Sequence, residues 1–304
     1  MAAPVLLAQM SKAELAEADG RYPKWATMCQ LRRLGLPVLN AVLLTPGQDD
    51  HDLEAAVTAM ARATGKDALL VRSDGGIETR RYYKGGNTFP LAQAASKAAG
   101  LLEAGRAVLL MEPTNRFTNR LTALIRMDRP APRRAGTFTI EGLGPGYDVG
   151  DLTRGGITPQ VTVTAEVDWS HYRELWFSDL RLTSNLDPAA EHDRRQRRLA
   201  RLAVDVLADT GHLDATLTID ERAAAAETWL RERGYEQLWQ SYDVAAAIAL
   251  RARRWFDDAF LIATCHPGRA WTCRATATSD IGGRWVFWDI VDGHHKYAAS
   301  GRVK

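Results

Sequence analysis

The chain has little cysteine, little lysine, no long apolar run and almost no net charge. Three cysteines (Cys29, Cys265, Cys273) among 304 residues cannot build a disulfide framework, and so sparse and odd a count predicts a reducing, cytoplasmic setting. Nor do Cys265, His266, Cys273 and His294 show the paired CxxC or HxxxH spacing of a structural zinc site. No apolar run approaches the ~18 residues that a membrane span requires, so no membrane partner is expected. The opening residues 1–20 lack a basic segment before their short apolar stretch, which argues against a secretory signal. Thirty-nine basic against thirty-seven acidic side chains leave +2, too little for a broad nucleic-acid footprint. Only 7 of the basic residues are lysines against 32 arginines, so each lysine is worth locating.

What is present is the balance of a globular protein: 46% hydrophobic and 25% charged residues. Ser11 and Glu14 form a capping-box pattern that opens a short helix. Pro23 precedes a helical stretch over 24–34 that Gly35 stops. A β-type run follows over 38–45, then an amphipathic helix over 49–64 and a short strand over 68–72. Residues 73–88 are polar with four glycines and read as a loop or hairpin. A helix is expected over 89–104, and strands over 107–111, 121–127, 137–141 and 160–167. Beyond these the pattern turns helical over 187–208, 220–234 and 237–255, with strands expected over 259–264, 271–276 and 284–291. Strands interleaved with helices, without a repeat, predict an α+β or α/β fold. The change of composition near residue 170 suggests two domains, 1–168 and 169–304.

Other groupings read as structure. The arginine-rich segment 192–201 is expected to be a solvated helix face. Nine tryptophans are expected mainly in the core. Asp168, Ser170 and His171 are too close in sequence for a hydrolytic triad.

Three segments form an ordered pattern. Lys24 is followed eleven residues later by Gly35-Leu36-Pro37-Val38 and a strand ending Leu44-Thr45. Val71-Arg72-Ser73 leads to Glu78, two tyrosines and Gly85. Glu141-Gly142-Leu143-Gly144 leads to Val149-Gly150 and Thr158-Pro159. Together, over residues 20–165, these blocks resemble the nucleotide-binding half of the pyruvate phosphate dikinase and phosphoenolpyruvate synthase family, a branch of the ATP-grasp fold. The resemblance implies an α+β, ATP-grasp-like fold of two subdomains enclosing a nucleotide cleft, with ATP and Mg2+ as cofactors. It implies that Lys24 and Arg72 bind the phosphates and act in catalysis. Met111, Glu112 and Pro113 would form the adenine hinge, and Glu141, Gly142 and Gly144 would line the cleft. The physics suits that implication, because phosphoryl transfer needs cations aimed at the oxygens where charge shifts. Lysine supplies a flexible point charge and arginine a planar fork.

The departures from the family pattern are specific. Tyr22-Pro23 stands for the glycine pair before the lysine, Asp74 for the second serine after the arginine, and Pro145 for the acid of GLGE. For the metal, either Asp257 or Asp258 is the candidate carboxylate, or Asp289 and Asp292 are, or the metal site is degraded. No glycine–threonine–serine–histidine motif is present, so a carried phosphohistidine would have to come from a partner protein. The expected activity is therefore transfer of the γ-phosphoryl of ATP to a small-molecule acceptor, most simply a carboxylate. The alternatives are half of a split dikinase-like phosphotransferase, or a nucleotide-binding module without catalysis.

Overall fold

In the computed structural model the described residues are 5–18, 20–75, 87–115, 117–128, 135–147, 151–152, 157–168, 181–184, 188–213, 216–235, 244–265, 271–278 and 285–292. The chain divides into two compact units. The first comprises residues 1–113 together with Val286–Ile290; the second comprises Thr114–Trp285 and the residues from Val291 onward. The division expected at 168/169 thus falls inside the second unit, because the strands on both sides of it belong to one sheet.

The first unit holds a four-stranded antiparallel sheet in the order β1-β4-β2-β3, with β1 Ala41–Leu44, β2 Ala68–Asp74, β3 Asn87–Pro90 and β4 Ala107–Met111. Its helices are α1 (Lys12–Ala16), α2 (Pro23–Arg33), α3 (Asp50–Thr64) and α4 (Leu91–Glu103). Period-2 alternation sends Val42, Leu44, Leu69, Val71, Val108 and Leu110 to one face, where Leu53, Ala56 and Met60 of α3 and Ala94 and Ala98 of α4 cover them. Each fully buried leucine or valine there stabilises the unit by about 1.5–3 kcal/mol. Local chemistry sets the helix ends. Ser11 and Glu14 complete the expected capping box. Asp49 caps α3, and Gly65 closes it at φ 64°, where a side chain would be strained. The helix expected from residue 89 begins at Leu91 instead. Pro90 disfavours helical backbone at the residue before it, so Asn87–Pro90 pairs with β2 as a strand.

The second unit is built on a sheet with the strand order β9-β5-β6-β7-β8. These strands are β5 Asn119–Asp128, β6 Ala135–Leu143, β7 Val161–Asp168, β8 Arg181–Ser184 and β9 Trp271–Thr278; a further strand, β10 Trp285–Asp292, has Val286–Ile290 in the first unit. Its helices are α5 (Pro188–Asp209), α6 (Ile219–Glu232) and α7 (Val244–Cys265). Helix α7 lies on one face of the sheet, where Phe256 meets Phe138 edge-on at 5.2 Å. Helices α5 and α6 form a separate core with Phe117, whose ring stacks on Tyr235 at 5.0 Å and meets Trp229 edge-on at 5.1 Å.

The strand expected over 259–264 is the C-terminal part of α7. A short apolar run has no period of its own; here Ala252, Trp255, Phe256, Ala259 and Ile262 continue one buried helical face. Every strand pairing among the named strands β1–β8 that register defines is antiparallel, as in an α+β fold. No helix among the described residues is long and apolar enough to cross a membrane.

Candidate functional site

The face of the first sheet opposite the α3–α4 core carries Leu70, Arg72 and Asp74 from β2 and, by register, Leu109 and Met111 from β4. Helix α2 packs against β2. This face is where two of the expected site residues meet. Lys24, in the first turn of α2, donates from Nζ to the carbonyl oxygen of Ser73 at 2.7 Å, one residue beyond Arg72. Arg72 donates from Nη1 to the Met111 sulfur at 3.6 Å. Both cations are buried, Lys24 at 9% and Arg72 at 5% exposure. The Lys24 and Arg72 segments, distant in sequence, thus border one sheet face.

The residue that fixes this arrangement is Asp74. Helix α2 begins without a side-chain cap from its own N-cap residue, Tyr22. Asp74 supplies the cap from 50 residues away: its carboxylate accepts from the N–H of Lys24 at 3.2 Å and of Trp25 at 2.8 Å, the second and third positions of the helix. It also accepts from its neighbour Gly75 at 2.9 Å. A carboxylate at a helix N-terminus is favoured by the helix dipole as well. An aspartate at position 74 thus has a structural reason of its own.

The expected hinge is committed to the fold. Met111 lies in the central strand β4, paired with both Ala41 and Leu70. The Glu112 N–H donates to the Asn40 carbonyl at 2.8 Å, and the Glu112 carboxylate accepts from Asn40 Nδ2 at 3.0 Å. Pro113 has no N–H. A base edge at Glu112 would therefore find that amide donor already used.

In the second unit the glycines of the third block have a packing role. A Cβ on Gly142 would fall well inside van der Waals contact distance of Ile248 Cδ1, and one on Gly144 inside that of Val244 Cγ2. Both partners belong to α7. The Gly144 N–H donates to Gln160 Oε1 at 2.6 Å. These two glycines admit a helix, and the Gly144 amide is taken. The turn that follows is held from α5. Arg198 donates from Nε to the Gly146 carbonyl at 2.9 Å and from Nη2 to Asp151 at 2.8 Å, and lies 3.7 Å over the Tyr147 ring. One arginine of the basic segment is thus a pin, not a solvated charge.

Glu141 lies on the opposite face of β6 from Gly142. Its Oε1 accepts from Arg126 at 2.7 Å, while its buried Oε2 has no hydrogen-bond partner among the described residues. Burial raises the carboxyl above its ordinary value, and the Arg126 charge offsets this in part.

Asp257 and Asp258 do not fit a magnesium ion as a pair. They are consecutive on α7, about 100° apart around the helix. Asp257 is exposed, whereas Asp258 is buried at 3% exposure. Arg254 Nε approaches Asp258 Oδ2 at 3.4 Å, an ionic contact without hydrogen-bond alignment. Burial pushes the Asp258 carboxyl up to about 6 against the opposing pull of Arg254. The side chains of Asp289 and Asp292 lie outside the description, as do those of Cys265, His266, Cys273 and His294 and the segment with Glu78 and Gly85. Among the described residues, one group of three potential metal ligands lies close together, Asp49, His51 and Asp52 at the start of α3; Asp49 there is the helix cap.

No protein-family model matches the chain, and no curated protein does. Among solved structures it is similar to N5-carboxyaminoimidazole synthetase from Staphylococcus aureus complexed with ADP, at 8% identity and TM-score 0.41, over 91% of this chain and 45% of that one. It is also similar to D-cycloserine synthetase, at 13% identity and TM-score 0.36, over 89% and 61%. A third is N5-carboxyaminoimidazole synthase from Aspergillus clavatus in complex with ADP and 5-aminoimidazole ribonucleotide, at 10% identity and TM-score 0.29, over 92% and 50%. The chain therefore spans between 45% and 61% of the length of these proteins.

Proposed function

We propose that the chain is an ATP-dependent enzyme of the ATP-grasp type, which binds the phosphates of ATP at the Lys24–Arg72 face of the first sheet. The observation that carries this reading is the joining of two distant motif blocks: Lys24 Nζ bonds the carbonyl next to Arg72 on one buried sheet face. Two cations kept from water at one face hold a polyanion more strongly than the same charges in solvent. In the reaction, a carboxylate oxygen attacks the γ-phosphorus, the bond to the β,γ-bridging oxygen breaks, and ADP leaves. The acyl phosphate then loses inorganic phosphate to an attacking amine. Lys24 and Arg72 would draw charge from the phosphoryl oxygens as it shifts. Asp74 is a positioning residue that sets the start of α2 and so the root of the Lys24 side chain.

Calorimetric titration with ATP tests the reading in Lys24→Met and Arg72→Met, each with circular dichroism as the control for folding. Both variants are expected to lose at least about tenfold in affinity, since each removes a charge-assisted contact. Wild-type affinity in both folded variants would remove the face from the site. The reaction class is read separately. Hydroxylamine traps an acyl phosphate as a hydroxamate, so hydroxamate formed with ADP supports the ligase. ATP cleavage seen only with a histidine-bearing partner, with AMP as the nucleotide left, supports the split phosphotransferase, and ATP binding without turnover supports a binding module.

A further inference from the structure

Helix α7 buries Val244, Ile248, Trp255, Phe256 and Ala259. Its outward side departs from the usual polar composition of such a surface. Leu250 is 78% exposed and Leu261 41% exposed, and between them stand Arg254 and Asp257, both exposed. The four positions follow at i, i+4, i+7 and i+11, one stripe along three turns.

The stripe reads Leu–Arg–Asp–Leu, and its members are symmetric about the midpoint between residues 255 and 256. Two copies of α7 packed antiparallel about a twofold axis at that midpoint would set Leu250 against the partner's Leu261 and Arg254 against the partner's Asp257. Each contact would occur twice, as an isologous interface requires. Two arginines or two aspartates at the centre would repel their own copies; one of each is self-complementary.

We propose that this stripe is a self-association surface whose occupant is α7 of a second copy of the chain. Arg254 already touches Asp258 of its own helix through Nε; its terminal guanidinium nitrogens can reach across the axis. Edge strand β8 packs against α7, and its Leu182, 41% exposed, faces the same side of the sheet through its pairing opposite Val163. Three helical turns bury less than the ~1,200 Å² of a standard stable interface. The dimer is accordingly concentration-dependent and not permanent.

Sedimentation equilibrium of the full chain across a concentration series tests the proposal. The weight-average mass should rise from 33.6 kDa towards twice that value. Arg254→Asp and Asp257→Arg should each weaken association at least about tenfold, because each places like charges opposite one another twice. The double variant, with the charges exchanged, should return to within about threefold of the original constant by the same complementarity. Leu250→Glu should weaken association independently of the charges. A constant monomer mass into the millimolar range would overturn the proposal. So would single reversals without effect, or a folded charge-exchange variant no better than the single ones.

Discussion

The first and second sheets each carry part of the same motif pattern, and they use it in opposite ways. On the first sheet the motif residues are charged and buried, and their partners come from far along the chain: Lys24 on Ser73, Asp74 on the start of α2. On the second sheet the motif residues are glycines whose surroundings are apolar, Ile248 and Val244 of α7. A buried cation is costly unless something anionic or polar meets it, so its presence argues for a ligand or a network. A glycine has two causes, approach of a ligand or approach of another element, and here the second is visible.

The contrast can be tested through stability, beginning with the largest expected effect. Asp74→Ala should destabilise the protein by about 3 kcal/mol in denaturant unfolding, since it leaves the N–H groups of Lys24, Trp25 and Gly75 without their acceptor. Asp74→Asn, which keeps one acceptor oxygen, should cost about half of that. If Asp74→Ala unfolds like the parent, the first sheet owes its geometry to something other than this cap.

Gly142→Ala and Gly144→Ala should each cost about 1–3 kcal/mol by overpacking against α7. Ile248→Ala should recover much of the loss in Gly142→Ala, and a double-mutant cycle measures the recovery. Stability unchanged together with a fall in ATP affinity would instead return the glycines to a ligand site and erase the contrast.

Asp258 sharpens the comparison through pH. Its folded-state value of about 6 lies above the ordinary carboxylate value, so the folded protein holds the proton more tightly than the unfolded chain does. Its contribution is fully favourable below the unfolded value and is lost as pH rises through about 6. Asp258→Asn should therefore stabilise by about 1–2 kcal/mol at pH 7–8 and by little at pH 4, read from melting temperatures across that range. The smallest effect concerns Cys29, whose thiol burial pushes up to about 12. A disulfide reagent at pH 8 should leave it unmodified in the native protein and modify it on unfolding.

Much of the architecture was legible because it is written locally. The Ser11–Glu14 capping box, the apolar spacing of α3 and the continuous run Ala107–Met111 each follow from residues close in sequence. Two features were not. Residues 259–264 are too short to show whether their period is 2 or 3.6, and only the sheet beneath them settles it as helix. Asp74 looked like a departure from a motif, and its role is visible only when residue 24 is brought beside it. The candidate site was legible in part: Lys24 and the Arg72 segment stand in the motif order, whereas the use of Gly142 and Gly144 depends on a helix about a hundred residues later. A signal for that use was present in the small residues facing an apolar helical stripe, but sequence alone does not say which stripe.

One detail of the first unit governs how the molecule can be divided. Phe287, wholly buried, donates its N–H to the Pro37 carbonyl at 2.8 Å and bridges Val38 in parallel. A chain ending at Pro113 would therefore be missing a piece of its own interior, contributed by residues that follow most of the second unit in sequence. Neither unit can be released by a single scission, and completion of the first must wait for synthesis of the second.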